Sequence, residues 1–216
     1  MFMSSPLSDS ARTSPAGAAS APPPELTLHG VCDPRRSEVE TFISEVYARR
    51  YGATVPHFAP VLVGLRENGE LLAAAGYRSA AHETLFLECY LPAPVEIMLA
   101  ANSDARPARA DIVEVGHLAA NRGGEGRRLI QLLAPHLAAE GFNWVVGTVT
   151  QELWPMLVRL GVAPLTLGTA DPAMLGKDAA HWGRYYEHHP VVLATHLKRA
   201  LRRYMARRTG SKGALR

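Results

Sequence analysis

Apolar residues recur along this chain in two rhythms, and the changes of rhythm divide it into elements. Leu26–Val31 reads as a first strand. Arg36–Arg50 carries Val39, Phe42, Ile43 and Val46 at helical spacing, and Gly52 stops it. Pro60–Arg66 and Leu71–Arg78 are apolar runs around Asn68-Gly69, two residues that tolerate positive φ and so predict a hairpin. Thr84–Leu91 reads as a further strand and Pro94–Ala101 as a short helix. Asp111–Ala119 predicts a strand with mixed faces. Ile112, Glu114, Gly116 and Leu118 share one side; Val113, Val115, His117 and Ala119 share the other, unless a bulge intervenes. Glycines follow, then a helix over Arg127–Glu140 closed by Gly141, a strand over Phe142–Thr150, and a helix over Gln151–Leu160 ending at Gly161. Pro155 fits the first turn of that helix if its start lies near Trp154. Ala163–Gly168 is a strand. Val191–Thr195 is either the last strand or already part of a basic C-terminal helix. Early antiparallel hairpins give way to strand–helix–strand units, which predicts an α/β fold with a mixed sheet covered by helices.

Composition changes this picture at both ends. Met1–Pro24 is rich in Ser, Ala and Pro, and such a segment buries too little surface to offset its ordering entropy; residues 1–24 are expected to be a disordered leader. The formal charge is +3, but residues 196–216 hold eight Lys or Arg and no acid, which leaves −5 for residues 1–195. A mildly acidic body, residues 25–195, therefore carries a strongly basic tail, and no nucleic-acid partner is expected for the body. No apolar stretch approaches the ~18 residues needed to span a bilayer. Two cysteines, Cys32 and Cys89, without a signal peptide or a Cys-x-x-Cys motif, fit a reducing, cytoplasmic setting.

The chemistry-bearing segment is Asn121-Arg122-Gly123-Gly124-Glu125-Gly126-Arg127, between a predicted strand and a predicted helix. Glycines let backbone N–H groups converge, and the helix start adds partial positive charge, so the turn is a candidate pyrophosphate cradle. Arg122, Arg127 and Arg128 add cations. No Lys-Ser/Thr follows, and Gly-x-Gly-x-x-Gly is absent, so neither the P-loop nor the dinucleotide pattern applies. The turn resembles the [Gln/Arg]-x-x-Gly-x-[Gly/Ala] motif of the GNAT acyltransferases, with Asn121, Gly124 and Gly126 at its first, fourth and sixth positions; Asn121 departs from the usual Gln or Arg. Leu160-Gly161-Val162 is similar to the end of the GNAT C-terminal half.

A wider set of segments resembles the bacterial thermostable hemolysin family over roughly residues 26–195. They are Leu85–Leu91, Ile112–Ala119, Trp144-Val145-Val146 with Thr148 and Thr150, Arg159-Leu160-Gly161, Ala170-Asp171-Pro172 and Trp182–Tyr186 with Pro190. The resemblance implies a GNAT-like fold, with a mainly antiparallel sheet flanked by helices on both faces, related to acyl-homoserine-lactone synthases. Those synthases place Glu-x-Ser-Arg-[Phe/Leu] before the carrier-binding turn. Here Glu114-Val115-Gly116-His117-Leu118 stands there with both Ser and Arg replaced, which argues against lactone-type substrate recognition.

Acyl transfer from a thioester to an amine needs a base, a stabilised carbonyl oxygen and a departing thiolate. The resemblance implies that an N–H of Leu118 or Ala119 serves the oxygen, that Arg122, Gly123, Gly124, Gly126 and Arg127 hold the carrier phosphates, and that the acyl donor is acyl-CoA or the phosphopantetheine of an acyl carrier protein. Glu114 and Glu88 are the candidate bases, because each interrupts an apolar run where burial raises a carboxyl pKa. GNAT enzymes often carry a Tyr acid on the helix that here offers Trp154, Pro155, Met156 and Leu157. Tyr90, Tyr185 and Tyr186 are alternative acids. Tyr90, His117, Trp182 and Tyr185 are candidates for a substrate pocket. The nine His residues are scattered without a ligand-like spacing, so no metal is expected. Leu193, Leu197, Leu201 and Met205 fall four apart among basic residues. That pattern fits a docked helix, a helix on anionic lipid, or a dock for an acidic acyl carrier protein. The expected function is acyl transfer to an amine of a small-molecule acceptor; a membrane-active hemolysin and a catalytically silent binding module are the rivals.

Overall fold

In the computed structural model, residues 23–102 and 106–213 are described, with side chains to Arg207. The leader expected at 1–24 lies, but for its last two residues, outside them. Seven strands form one sheet: β1 (Glu25–His29), β2 (Val61–Glu67), β3 (Glu70–Ser79), β4 (Ile112–Ala120), β5 (Trp144–Val149), β6 (Leu165–Thr169) and β7 (Val191–His196). Their order is β1-β2-β3-β4-β5-β7-β6, and every neighbouring pair is antiparallel except β4–β5. The helices are α1 (Arg36–Tyr51), α2 (Val95–Ala100), α3 (Glu125–Ala139), α4 (Trp154–Arg159) and α5 (Leu197–Gly213).

Both faces of the sheet are covered, as the mixed pattern implies. On the front, α1 lays Val39, Ile43, Val46 and Tyr47 over Leu62, Ala74 and Ala119. Also on the front, Leu87, Val95 and Leu99 pack on Ile112, Trp144, Val146, Val192 and Ala194. On the back, Leu129, Leu133 and Leu137, four apart along α3, pack with Leu197 against Val63, Leu65, Ala73, Ala75 and Val113. These stripes are the helical and two-residue periods of the sequence turned into contact surfaces. The Asn68-Gly69 hairpin is present, with φ of 52° and 83° at the two turn residues. Gly52 ends α1 in the left-handed region, its N–H returning to the Ala48 carbonyl.

Two elements differ from expectation. The run Thr84–Leu91 is not a strand; Phe86–Tyr90 is a 3-10 helix. A continuous apolar run does not discriminate between the two. Tertiary acceptors decide it: Glu114 takes the N–H of Phe86 and Leu87, and Glu88 takes that of Leu85, so this segment's donors are spent locally rather than on a ladder. The predicted helix over Gln151–Leu160 is split into a 3-10 turn, Gln151–Leu153, and α4, with Pro155 in α4's first turn. The ambiguous Val191–Thr195 resolves as β7, and the basic helix starts directly after it, at Leu197.

Candidate functional site

Strand β4 positions the site through an irregularity. Its register against β3 runs Tyr77↔Val115 and Gly76↔Gly116, then Ala74↔Ala119, so His117 and Leu118 together face one residue, Ala75. His117 has φ of +54°, a left-handed conformation uncommon for a residue with a side chain. This is a β-bulge, and it reverses the facing of every residue beyond it. Ile112 and Glu114 face the front before the bulge; Ala119 faces the front after it. Strict alternation put His117 on the face opposite Glu114. The bulge brings it round, and both line the same cavity.

That cavity, ≈ 440 Å³, owes its shape to β4 and β5. The two strands pair only at Ile112–Glu114 with Trp144–Val146 and then part. At the parting point a side chain is impossible on Gly147, since a Cβ there would lie 2.5 Å from the Val115 carbonyl oxygen. Beyond it, Val115 to Leu118 and Gly147 to Thr150 line the two sides of an opening that passes through the sheet.

Glu114 stands at the front of this opening. It is buried, its two oxygens accept from the N–H groups of Phe86 (2.8 Å) and Leu87 (3.0 Å), and the Arg78 Nε lies 3.4 Å away. Burial raises its carboxyl above the ordinary carboxylate range, while Arg78 and the two N–H donors pull the other way. His117 donates its Nε2–H to the His57 carbonyl oxygen at 3.1 Å, so Nε2 carries the proton and the buried Nδ1 of the neutral ring keeps a lone pair without a partner. Burial, reinforced by the Arg78 charge, depresses His117 to about 4, so the ring is neutral near pH 7.

Aromatic rings form the front wall. Tyr47, Tyr51, Trp182, Tyr185 and Tyr186 stack edge to face with centroids 5.2–6.5 Å apart. The Tyr90 and Tyr186 hydroxyls bond each other, and Tyr185 donates to the Thr148 carbonyl. Burial pushes Tyr186 up to about 12 and raises Tyr90 and Tyr185 further. All three hydroxyls therefore stay protonated in the neutral range.

The Gly-rich turn follows β4 on the same strand's exit. Gly124, at φ +97°, precedes α3, which begins at Glu125 rather than Arg127. The Glu125 carboxylate accepts from the Arg122 N–H. Among the described residues no acceptor takes the N–H of Gly123, Gly124, Gly126 or Arg127. Arg122 and Arg127 are exposed and make no ion pair there, whereas Arg128 is bound to Glu67. Asn121 accepts from Arg49.

The expected residues thus separate. Glu114, His117, Leu118, Tyr90, Trp182 and Tyr185 line one cavity. Ala119 is buried against α1, and Arg122, Gly123, Gly124, Gly126 and Arg127 form the turn beyond. Glu88 stands outside. Its carboxylate is held by Arg109 at 2.8 and 3.0 Å and by the Leu85 and Val95 N–H groups. Burial opposes its charge, yet Arg109 and those donors keep it below the usual carboxylate range, the reverse of what a base near neutrality needs. Sequence reading missed Arg78, the one Lys or Arg among the described residues that line the cavity, and the wall that α5 contributes through Leu197 and Ala200. Arg78 ends an apolar strand run, a signal that was visible; nothing local marks Ala200.

The model of the thermostable hemolysin family matches residues 29–201. This chain belongs to that family. No curated protein matches the sequence. Several solved structures share the fold of this hemolysin-family chain. FeeM, an N-acyl amino acid synthase from uncultured soil microbes, is 12% identical at TM-score 0.58 over 84% of this chain and 96% of its own. BjaI, a CoA-dependent acyl-homoserine lactone synthase with SAM and isopentyl-CoA, is 12% identical at TM-score 0.58 over 86% and 89%. The AHL synthase LasI is 13% identical at TM-score 0.54 over 81% and 90%. The shared property is the fold, a GNAT-like open sheet, mostly antiparallel, with helices. Among the described residues of this hemolysin-family protein, no helix is long and apolar enough to cross a membrane.

Proposed function

We propose that this protein is an N-acyltransferase that moves an acyl group from a CoA or acyl-carrier-protein thioester to the amine of a small-molecule acceptor. The observation that carries the reading is one strand, β4, which presents Glu114 to the cavity and leads into a turn with unpaired N–H groups. The turn and the exposed Arg122 and Arg127 suit the phosphates of the carrier. The fold-level likeness to FeeM and BjaI supports the same class of chemistry.

In this reading Glu114 takes a proton from the acceptor amine, whose nitrogen attacks the thioester carbonyl carbon. The N–H of Leu118, at the bulge, is the donor to the oxyanion in this reading. The C–N bond forms, the C–S bond breaks, and the proton held by Glu114 passes on to the departing thiolate. Tyr90 and Tyr186 are too weakly acidic to protonate a thiolate, so their hydroxyl pair serves as a hydrogen-bond donor. The exposed Lys198, Arg199, Arg202 and Arg203 of α5 are the surface on which an acidic carrier protein would dock. Incubating the purified protein with acyl-CoA thioesters and a panel of amines, with thiol release as readout, tests the proposal. Release that depends on both partners is expected. CoA binding without turnover for any acceptor would instead mark a silent binding module.

The family name raises membrane lysis as a second reading, and α5 is its natural agent. The docking of the first two turns of α5 supports the first reading: Leu197 is buried and Leu201 packs on the back core, while Met205 further along is exposed. A lytic helix would have to undock. Leakage of anionic vesicles by the folded protein would revive the lytic reading.

A further inference from the structure

Strand parity divides the cavity into two chambers. Glu114, His117, Arg78 and the tyrosines face the front, while residues of opposite parity open to the back. The back chamber is walled by Leu133 and Leu137 of α3, Val145 of β5, Leu193 of β7, and Leu197 and Ala200 of α5. Thr195 is the one polar side chain among these strand and helix walls. Neither an amine acceptor nor a pyrophosphate finds a charged partner there, and burying either would be costly. A hydrocarbon chain is the ligand such walls suit.

The chamber leads from the parting of β4 and β5 toward the base of the sheet, where α5 closes it. This wall is pinned at both ends. The Leu197 N–H donates to the Asn143 carbonyl at 2.8 Å, and Arg207 donates to the Val158 carbonyl at 2.8 Å. Ala200 is the smallest side chain α5 offers to the chamber, and Leu197, one turn before it, is 3% exposed. We infer that α5 is the end wall of an acyl chamber and that Leu197 and Ala200 set the longest acyl chain the protein accepts. The inference rests on the acyltransferase reading above.

The experiment compares the full-length protein with Ala200→Leu, Ala200→Phe and Leu197→Ala, using Glu45→Ala on the exposed face of α1 as control. Affinity for CoA and for saturated acyl-CoAs from butyryl to palmitoyl is measured by calorimetry, beside thiol release and a thermal melt. Ala200→Phe is expected to weaken the longest chains by at least about tenfold, with CoA and butyryl-CoA unchanged. Ala200→Leu gives a smaller shift in the same direction, should the larger ring prevent folding. Leu197→Ala shifts the preference toward longer chains, and Glu45→Ala leaves it in place. Equal effects on every chain length, or no dependence on chain length in the parent protein, would overturn the inference alone. Failure of CoA, every acyl-CoA and the matching acyl-carrier-protein thioesters to bind would overturn the acyltransferase reading with it.

Discussion

Glu114 serves the fold and the proposed chemistry through the same two oxygens, and one substitution separates the two roles. Glu114→Gln keeps one carbonyl oxygen to accept from Phe86 or Leu87 but cannot take a proton. Acyl transfer is expected to fall by about 10²–10⁴ in kcat/KM, with a stability loss of only ~1–3 kcal/mol from the mispaired N–H. The pH profile gives an independent check. A base works as the carboxylate, so the rate should climb as pH rises through a pKa set above the ordinary carboxylate range by burial, and Gln should abolish that limb. His117 predicts the opposite kind of effect, on stability. Its folded pKa, about 4, lies below the unfolded value, so the unfolded chain takes up the proton first as pH falls. Stability is unaffected above the unfolded pKa and declines below it until both states are protonated. Between pH 6.5 and 5 the loss should be on the order of 2 kcal/mol. His117→Asn, which tolerates positive φ, should flatten this dependence in denaturant titrations at the two pH values.

At the scale of elements, the turn before α3 and the bulge in β4 divide the work. Gly124 has open space where a Cβ would stand, so only its backbone conformation resists substitution. Gly124→Val is therefore expected to cost about 1–3 kcal/mol of strain and to weaken CoA binding at least tenfold, measured by a melt and by calorimetry. Unchanged CoA affinity in a folded variant would remove the turn from the carrier site. The turn was legible in the sequence, because glycines between a strand and a helix mark a change of direction that needs positive φ, here at Gly124. The bulge was not. Gly116-His117 carries no local mark of an extra residue, and the register that reveals it depends on β3, a strand some 40 positions earlier. The segment around Phe86 was misread for a related reason: its hydrogen-bond acceptors come from Glu114, far along the chain.

For the whole molecule, the first turns of the basic helix α5 pack on the body. Leu197 and Leu201 of α5 join the back core with Leu129, Leu133 and Leu137. Ending the chain at His196 should lower the thermal midpoint clearly, since burying Leu197 alone contributes ~1.5–3 kcal/mol; an unchanged midpoint would show α5 to be undocked in solution. Local pattern by itself determined most elements, the hairpin at Asn68-Gly69, the glycine turn before α3 and the burial of Glu114 in an apolar strand, because periods of two and of three to four residues and turn chemistry act over a few neighbours. Only the tertiary structure decided that Glu88 is consumed by Arg109, that His117 joins Glu114, and that β4 and β5 part to admit a chamber closed by α5. Each of these outcomes depends on a strand register or an ion pair between residues remote in sequence, and no local propensity encodes such a partner.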